Sequence, residues 1–301
     1  MAETLGFIGL GNMGEPIALN LLAAGYGLRV YNRTPSKVAP LVARGGLAAK
    51  TVAEVASAGG IVLTMVADDR ALEDLCLAPG SFVEKLGAGG VHISLSTIAP
   101  ATARRLSAHH AKHKVDYLAS PVFGRPDAAA ERKLWVCTSG PGGARRRAEP
   151  IFEAIGQGVL HFGDEPGAAN VVKLCGNFLI ASTIEALAEL MVFAEKNGVS
   201  KSAVADMIGK FSPLHRGYAK LIAEQKFEPA GFRLALGFKD INLVLQTAAE
   251  SVTPLPMASL LYDRWLSAVA KGRGDLDWSA VALGAAEDAG LKPSLRSEVA
   301  E

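Results

Sequence analysis

Gly9, Gly11 and Gly14 are spaced as G-x-G-x-x-G, with Leu10, Asn12 and Met13 between them. Glycines at this spacing can bring backbone amides up to a phosphate. The first permits a tight turn, the second lets a pyrophosphate approach the main chain, and the third lets a helix pack on a strand. The helix N-terminus then faces the phosphates with its unpaired N–H groups. The spacing alone is a weak signal, and its context strengthens it. Residues 5–10 form an apolar run that reads as a strand, and residues 15–24 carry Ile17, Leu21 and Leu22 on one helical face. The chemistry expected here is dinucleotide binding, with Gly9, Leu10, Gly11, Asn12, Met13 and Gly14 lining the phosphates.

A second turn selects the cofactor. Residues 28–31 read as the next strand and run into Asn32-Arg33-Thr34-Pro35. An NAD site carries Asp or Glu at about this distance, where the carboxylate holds the ribose 2′-hydroxyl. No carboxylate stands here. Asn32 and Thr34 offer hydrogen-bond donors and Arg33 a fixed positive charge, which suit a 2′-phosphate. The expected cofactor is NADP, with NADPH preferred over NADH.

The elements that must position these turns follow from the pattern of the chain. Strands are expected over 5–10, 28–31, 61–65, 91–94, 115–118, 134–138 and 159–162. Helices are expected over 37–44, 70–75, 100–112 and 143–155. Strand–helix alternation implies a doubly wound, mostly parallel sheet, that is, an α/β fold with an N-terminal Rossmann domain over residues 1–164. Turn chemistry at Gly163-Asp164-Glu165-Pro166-Gly167 ends that pattern. An all-helical domain is expected over 165–301, opening with a long helix over 168–197. Further helices are expected over 201–210, 216–223, 239–250, 258–271 and 278–289, with a frayed tail at 297–301.

Composition narrows the function classes. The net charge of +1 supplies no general attraction to nucleic acid or to a membrane surface. Cys76, Cys137 and Cys175 are odd in number and lack metal spacing, as for buried thiols in a reducing compartment. The apolar stretch 171–194 contains Lys173, Asn177, Glu185 and Glu189, which reads as a buried helix rather than a membrane span. Glu3 precedes the first strand directly, so no signal peptide is expected and the location is expected to be cytoplasmic. His109, His110 and His113 could suggest a metal, but no carboxylate partner is evident. They read as a solvated helical face, and no metal is expected.

Five sequence elements, in order, resemble the β-hydroxyacid dehydrogenase family, which includes 3-hydroxyisobutyrate dehydrogenases and glyoxylate/succinic semialdehyde reductases. They are Gly6 to Gly14 with Pro16, Ser96-Thr97-Ile98 with Pro100 to Ala103, Tyr117 with Pro121-Val122 and Gly124, Gly167 to Asn170 running into Lys173-Leu174 and Asn177, and Gly231-Phe232 with Lys239-Asp240. The resemblance spans nearly the whole chain. It implies that Lys173 is the general acid/base, one helical turn from Asn177, which orients the substrate or the lysine. It also implies that Val66, Ala67 and Thr97 line the cofactor and that Lys239 reaches it from the helical part. Thr97, Gly124, Phe232 and Asp240 would border the substrate, which is expected between nicotinamide and Lys173.

One departure bears on specificity. Where the family reads Asp-x-Pro-Val-Ser-Gly-Gly, this chain reads Ala119-Ser120-Pro121-Val122-Phe123-Gly124-Arg125. Phe123 replaces a hydroxyl that grips the substrate carboxylate, and Arg125 offers a cation in exchange. Gly176 likewise stands where the family has an asparagine, which opens space beside Lys173. The expected activity is NADPH-dependent hydride transfer between NADP and a small aldehyde or keto acid, giving a hydroxy acid. An imine or uncharged-carbonyl reductase is the alternative, and a non-catalytic NADP-binding module is a more distant one. The long apolar helix and the resemblance imply a homodimer or homotetramer.

Overall fold

A computed structural model describes residues 3–291, so the tail expected at 297–301 lies outside the described residues. The chain divides into two compact units, residues 1–173 and 174–301. The first opens with β1 (Thr4–Ile8), α1 (Gly14–Ala23), β2 (Gly27–Tyr31), a 3₁₀ turn (Pro35–Val38), α2 (Ala39–Val42) and β3 (Leu47–Ala48). It continues through β4 (Ile61–Thr64), α3 (Asp69–Leu77), α4 (Phe82–Leu86), β5 (Val91–Ser94), α5 (Pro100–Lys112) and β6 (Asp116–Ala119). These six strands form one sheet in the order β3-β2-β1-β4-β5-β6, with every pairing parallel. The chain winds outward from β1 to one side and then from β4 to the other. That reversal opens a crevice at the carboxyl ends of the two strands, where ligands of such sheets bind.

Burial explains the arrangement. β4 and β5 are buried at every position. Strands covered by helices on both faces read as continuous apolar runs. Alternation along β1 sends Leu5 and Phe7 into a layer with Ile17, Leu21, Leu63 and Phe152. Ile8 faces the opposite layer with Val62, Leu72, Phe82 and Leu106.

The expected doubly wound parallel sheet is present, but the last two expected strands, 134–138 and 159–162, do not belong to it. After β6 come β7 (Val122–Phe123), α6 (Pro126–Ala130), β8 (Leu134–Thr138), α7 (Gly142–Ile155) and β9 (Gly156–His161). β7, β8 and β9 form a separate three-stranded sheet in which β7 runs antiparallel to β8. Pro121 has no N–H to extend the ladder beyond β6, and the chain turns there. Three short elements, β3, α4 and α6, have too few residues to show a period in the sequence.

The long helix α8 (Ala168–Lys196) carries the division between the units. Its first turn is docked in the first unit. The Ala169 N–H donates to Ser139 Oγ at 3.1 Å, and Ala169 packs with Ile98, Ala103 and Cys137. By length and composition α8 could cross a membrane, yet half of its most apolar window is buried within the structure. The second unit adds α9 (Lys201–Phe211), α10 (Pro213–Ala223), α11 (Leu234–Glu250), α12 (Pro256–Ala270), a 3₁₀ turn (Trp278–Val281) and α13 (Ala282–Asp288). Its core joins Ile184, Leu187, Met191, Leu234, Ile241, Leu261, Trp265 and Trp278. The Asp277 carboxylate accepts from the N–H groups of Gly231, Phe232 and Ser279, which pins the loop before α11.

Candidate active site

The glycine turn has the expected geometry, and its three glycines have separable causes. Gly9 sits at φ +98°, and a Cβ there would lie 2.2 Å from the Met65 carbonyl oxygen. Its N–H donates to Tyr31 O at 3.0 Å. A Cβ on Gly14 would lie 1.9 Å from the Gly9 oxygen, so the helix can close on the turn only without a side chain. Gly11 is different: it is exposed, and among the described residues no atom lies within 4 Å of the Cβ it lacks. Neither packing nor backbone conformation in the protein requires that glycine. A pyrophosphate approaching the main chain does, so the residues fit a dinucleotide. Asn12 is exposed and Met13 half-buried beside it, and Met13 stands at the N-cap of α1 without a side-chain bond to the first helical amides.

Asn32 has a more structural place than the sequence suggested. Its Oδ1 accepts from the Leu10 N–H at 2.9 Å and its Nδ2 donates to Thr34 O at 2.9 Å, so it clips the glycine turn to the end of β2. Arg33 and Thr34 are exposed beyond it. Across the crevice, the Val66 N–H donates to Ser96 Oγ at 2.9 Å, and Asp69 Oδ1 accepts from the Ala99 N–H at 2.9 Å. These bonds stitch the segment of Val66 and exposed Ala67 to the segment of half-buried Thr97 at the carboxyl ends of β4 and β5.

Lys173 is buried, and its Nζ stands 4.1 Å from the centroid of the Phe123 ring. The negative face of an aromatic ring attracts an ammonium, so Phe123 positions the lysine where the family's serine would offer a hydroxyl. Gly124 follows at φ +138°, where a Cβ would meet Leu134 at 2.6 Å, and half-buried Arg125 leads into α6. The Lys173 charge is felt by Cys137, opposing the upward push of burial on that thiol.

The sequence pattern assigns no role to Asn170. It is 1% exposed, and neither its Oδ1 nor its Nδ2 has a hydrogen-bond partner among the described residues. A buried amide left unpaired is costly, and such groups mark positions completed by a ligand or water. The signal was available: Asn170, Lys173 and Asn177 follow one another at i, i+3 and i+7, the spacing of one helical face.

In the second unit, Asn177 Nδ2 donates to Asp240 Oδ2 at 2.5 Å, and Lys239 Nζ lies 2.9 Å from Asp240 Oδ1. Asn177 and Asp240 are buried. Asp240 thus joins an amide and an ammonium through its two oxygens. Phe232 is half-buried with its ring edge-on to Trp278 at 4.7 Å, which fixes it to the helical core.

The three-histidine reading needs correction. His110 is fully buried and bonded to His92, so it does not share a solvated face with His109 and His113, which are half-buried. His110 points inward because it continues the buried face of α5, following Ala103 and Leu106 at i+7 and i+4.

Comparison with known proteins places this architecture. Residues 4–163 match the NAD binding domain of 6-phosphogluconate dehydrogenase, and residues 167–285 match the NAD-binding domain of NADP-dependent 3-hydroxyisobutyrate dehydrogenase. The fold and site thus define a nicotinamide-dependent oxidoreductase, and the chain belongs to the β-hydroxyacid dehydrogenase family. An uncharacterized oxidoreductase of Bacillus subtilis (strain 168) is 43% identical over 276 residues, covering 91% of this chain and 96% of its own length. The 2-(hydroxymethyl)glutarate dehydrogenase of Eubacterium barkeri is 31% identical, covering 92% and 93%. Among solved structures, Mycobacterium tuberculosis 3-hydroxyisobutyrate dehydrogenase with L-serine is similar with a TM-score of 0.83 at 29% identity, covering 94% of this chain and 99% of that one.

Proposed function

We propose that this protein is an NADPH-dependent reductase that interconverts a small carboxylate-bearing aldehyde or keto acid and the corresponding hydroxy acid, with Lys173 as general acid/base. The observation that carries this reading is the buried lysine seated over Phe123 on the helical face that also bears Asn170 and Asn177. When bound, the nicotinamide supplies or accepts the hydride. In reduction the Lys173 ammonium polarises the carbonyl oxygen and then protonates the developing alkoxide. In oxidation the neutral amine takes the hydroxyl proton. Asn177, held by Asp240, orients the substrate. Arg33 recognises the 2′-phosphate of NADP. Arg125 takes over the carboxylate contact that a serine at position 123 would make. The hydroxy-acid and amino-acid names attached to similar proteins support a carboxylate-bearing substrate. The exposed stripe of Val171, Leu179 and Phe193 along α8 supports a homodimer or homotetramer in the cytoplasm, with a second copy covering it.

The test is NADPH consumption by purified protein with succinic semialdehyde, glyoxylate, an uncharged aldehyde and a cyclic imine, each repeated with NADH. Turnover of the two acids is expected. Turnover confined to the uncharged aldehyde or the imine would replace this reading with the imine or uncharged-carbonyl alternative. Lys173→Ala lowers kcat at least ~100-fold with NADPH affinity retained, as for loss of a general acid; full activity in that variant would remove the lysine from the mechanism. Arg33→Asp weakens NADPH binding by about tenfold or more and NADH binding little, because the new carboxylate repels only the 2′-phosphate. Equal losses with both cofactors would refute the assignment of Arg33.

A further inference from the structure

Four of the six histidines of the chain gather at one place, and none of them belongs to the dinucleotide turn or to the helix that carries Lys173. His92 from the middle of β5, His110 from α5 and Cys76 from α3 are each fully buried, with one ligand atom apiece lying within 4.8 Å of the others. Phe82 closes the pocket edge-on to His92 at 4.9 Å, and the Tyr117 ring packs at 5.3 Å from both imidazoles. The outer histidines, His109 and His113, stand at its rim with ring centroids 5.0 Å apart, and the His109 side chain hydrogen-bonds the Cys76 backbone.

The hydrogen bonds assign the two imidazole protons of this group. His110 Nδ1 must donate to the Leu106 carbonyl at 2.6 Å, which leaves Nε2 as an acceptor. His92 Nδ1 therefore donates to His110 Nε2 at 2.9 Å, and His92 Nε2 accepts from the Thr64 hydroxyl at 2.9 Å. Shifting the His92 proton from Nδ1 to Nε2 and rotating the Thr64 hydroxyl turns that last bond around. Two nitrogen lone pairs then face each other, with the Cys76 sulfur within 4.8 Å of a ring nitrogen of each imidazole, and each imidazole keeps an outer hydrogen bond to hold its orientation. Metal-ligating histidines are braced in this manner.

We propose that Cys76, His92 and His110 form a buried three-coordinate site for Cu(I). Binding deprotonates the thiol, R–SH + Cu⁺ → R–S–Cu + H⁺, with the proton passing to solvent and no change of oxidation state. Charge selects the ion. Cu⁺ with one thiolate and two neutral imidazoles is net neutral, whereas Zn²⁺ would leave an uncompensated positive charge in a dry layer. Thiolate and imidazole ligands suit soft Cu(I), and a trigonal set suffices for it where zinc takes four. To share an ion at ordinary metal–ligand distances the two nitrogens need to separate by roughly 0.5 Å and the sulfur to close by up to roughly 1 Å, shifts within side-chain reach. His109 and His113 give the ion a landing point at the surface. Burial holds His110 down to about 4 and His92 below its usual range, so both imidazoles are unprotonated and ready to ligate at neutral pH, whereas burial pushes the Cys76 thiol up, so the charge of the arriving ion must drive its deprotonation.

The experiment is an anaerobic titration of the full-length reduced protein with Cu(I) against bicinchoninate, followed by copper X-ray absorption. One Cu(I) per chain withheld from the chelator, with two nitrogens and one sulfur in its first shell, is expected. Cys76→Ser weakens binding at least ~100-fold and Thr64→Val about 10-fold, while Cys175→Ser leaves it unchanged. No Cu(I) withheld, a first shell with two sulfurs, or Zn(II) competing on equal terms would overturn the proposal. The absorption measurement uses the unaltered protein, so it decides the matter even if a core variant fails to fold.

Discussion

The glycine turn after β1 and the Asn177–Asp240–Lys239 group in the helical unit are built from opposite materials. The turn is backbone: its working parts are amides, and its residues are chosen for what they lack. Gly9 and Gly14 leave out a Cβ because a carbonyl already occupies the place, and Gly11 leaves one out where the space is open. The helical group is side chain: an amide, a carboxylate and an ammonium meet across 63 positions of sequence from Asn177 to Asp240. A backbone site is local and tolerates no added atom. A side-chain site depends on two helices arriving in register and fails by losing partners.

The largest effect should come from Gly9→Val. A side chain there collides with the Met65 carbonyl and demands a strained φ, so the protein should not accumulate in soluble folded form. Gly11→Ala is the contrasting case: circular dichroism and melting stay as in the parent, while NADPH binding weakens about tenfold or more. Equal NADPH binding in the Gly11 variant would show that no phosphate comes close there.

Next in size is Asp240→Ala, which strands the buried Asn177 donor and breaks the pair with Lys239. Urea unfolding should show a loss of about 2–3 kcal/mol. A loss under about 0.5 kcal/mol would mean that water already satisfies both partners, and the contrast between the two sites would fade. The smallest effect is expected from Phe123→Ser. It removes the ring under Lys173 and restores a hydroxyl, so kcat/KM for carboxylate-bearing aldehydes should rise several-fold relative to an uncharged one, a difference of about 1 kcal/mol. An unchanged ratio would mean that position 123 acts on the lysine and not on the substrate.

The parallel sheet was legible because its strands are apolar runs bounded by turn residues, and the edges of 91–94 and 100–112 coincide with β5 and the helix α5 that follows it. The second sheet was not legible. β8 and β9 look the same locally whether they extend the first sheet or start another, and the two-residue β7 that decides it is too short to show alternation. Asn32 is of a type that suits a cofactor donor, and the structure adds a second task that its neighbours in sequence do not reveal: one amide hydrogen and the carbonyl oxygen clip the turn. His110 was read as solvated from its neighbours in sequence, although its partner His92 lies on another strand.

The sequence by itself determined the dinucleotide turn, the alternation that builds the sheet, the long helix and the polar face that helix carries. These follow from short-range rules: steric room at glycine, the two periods of strand and helix, and the fixed spacing of side chains along a turn. Tertiary structure alone decided that Phe123 lies under Lys173, that Asp240 holds Asn177 and Lys239, and that Cys76, His92 and His110 share one dry pocket. Those contacts join residues from separate elements. A buried polar group finds its partner through the packing of whole layers, which no local window of sequence records.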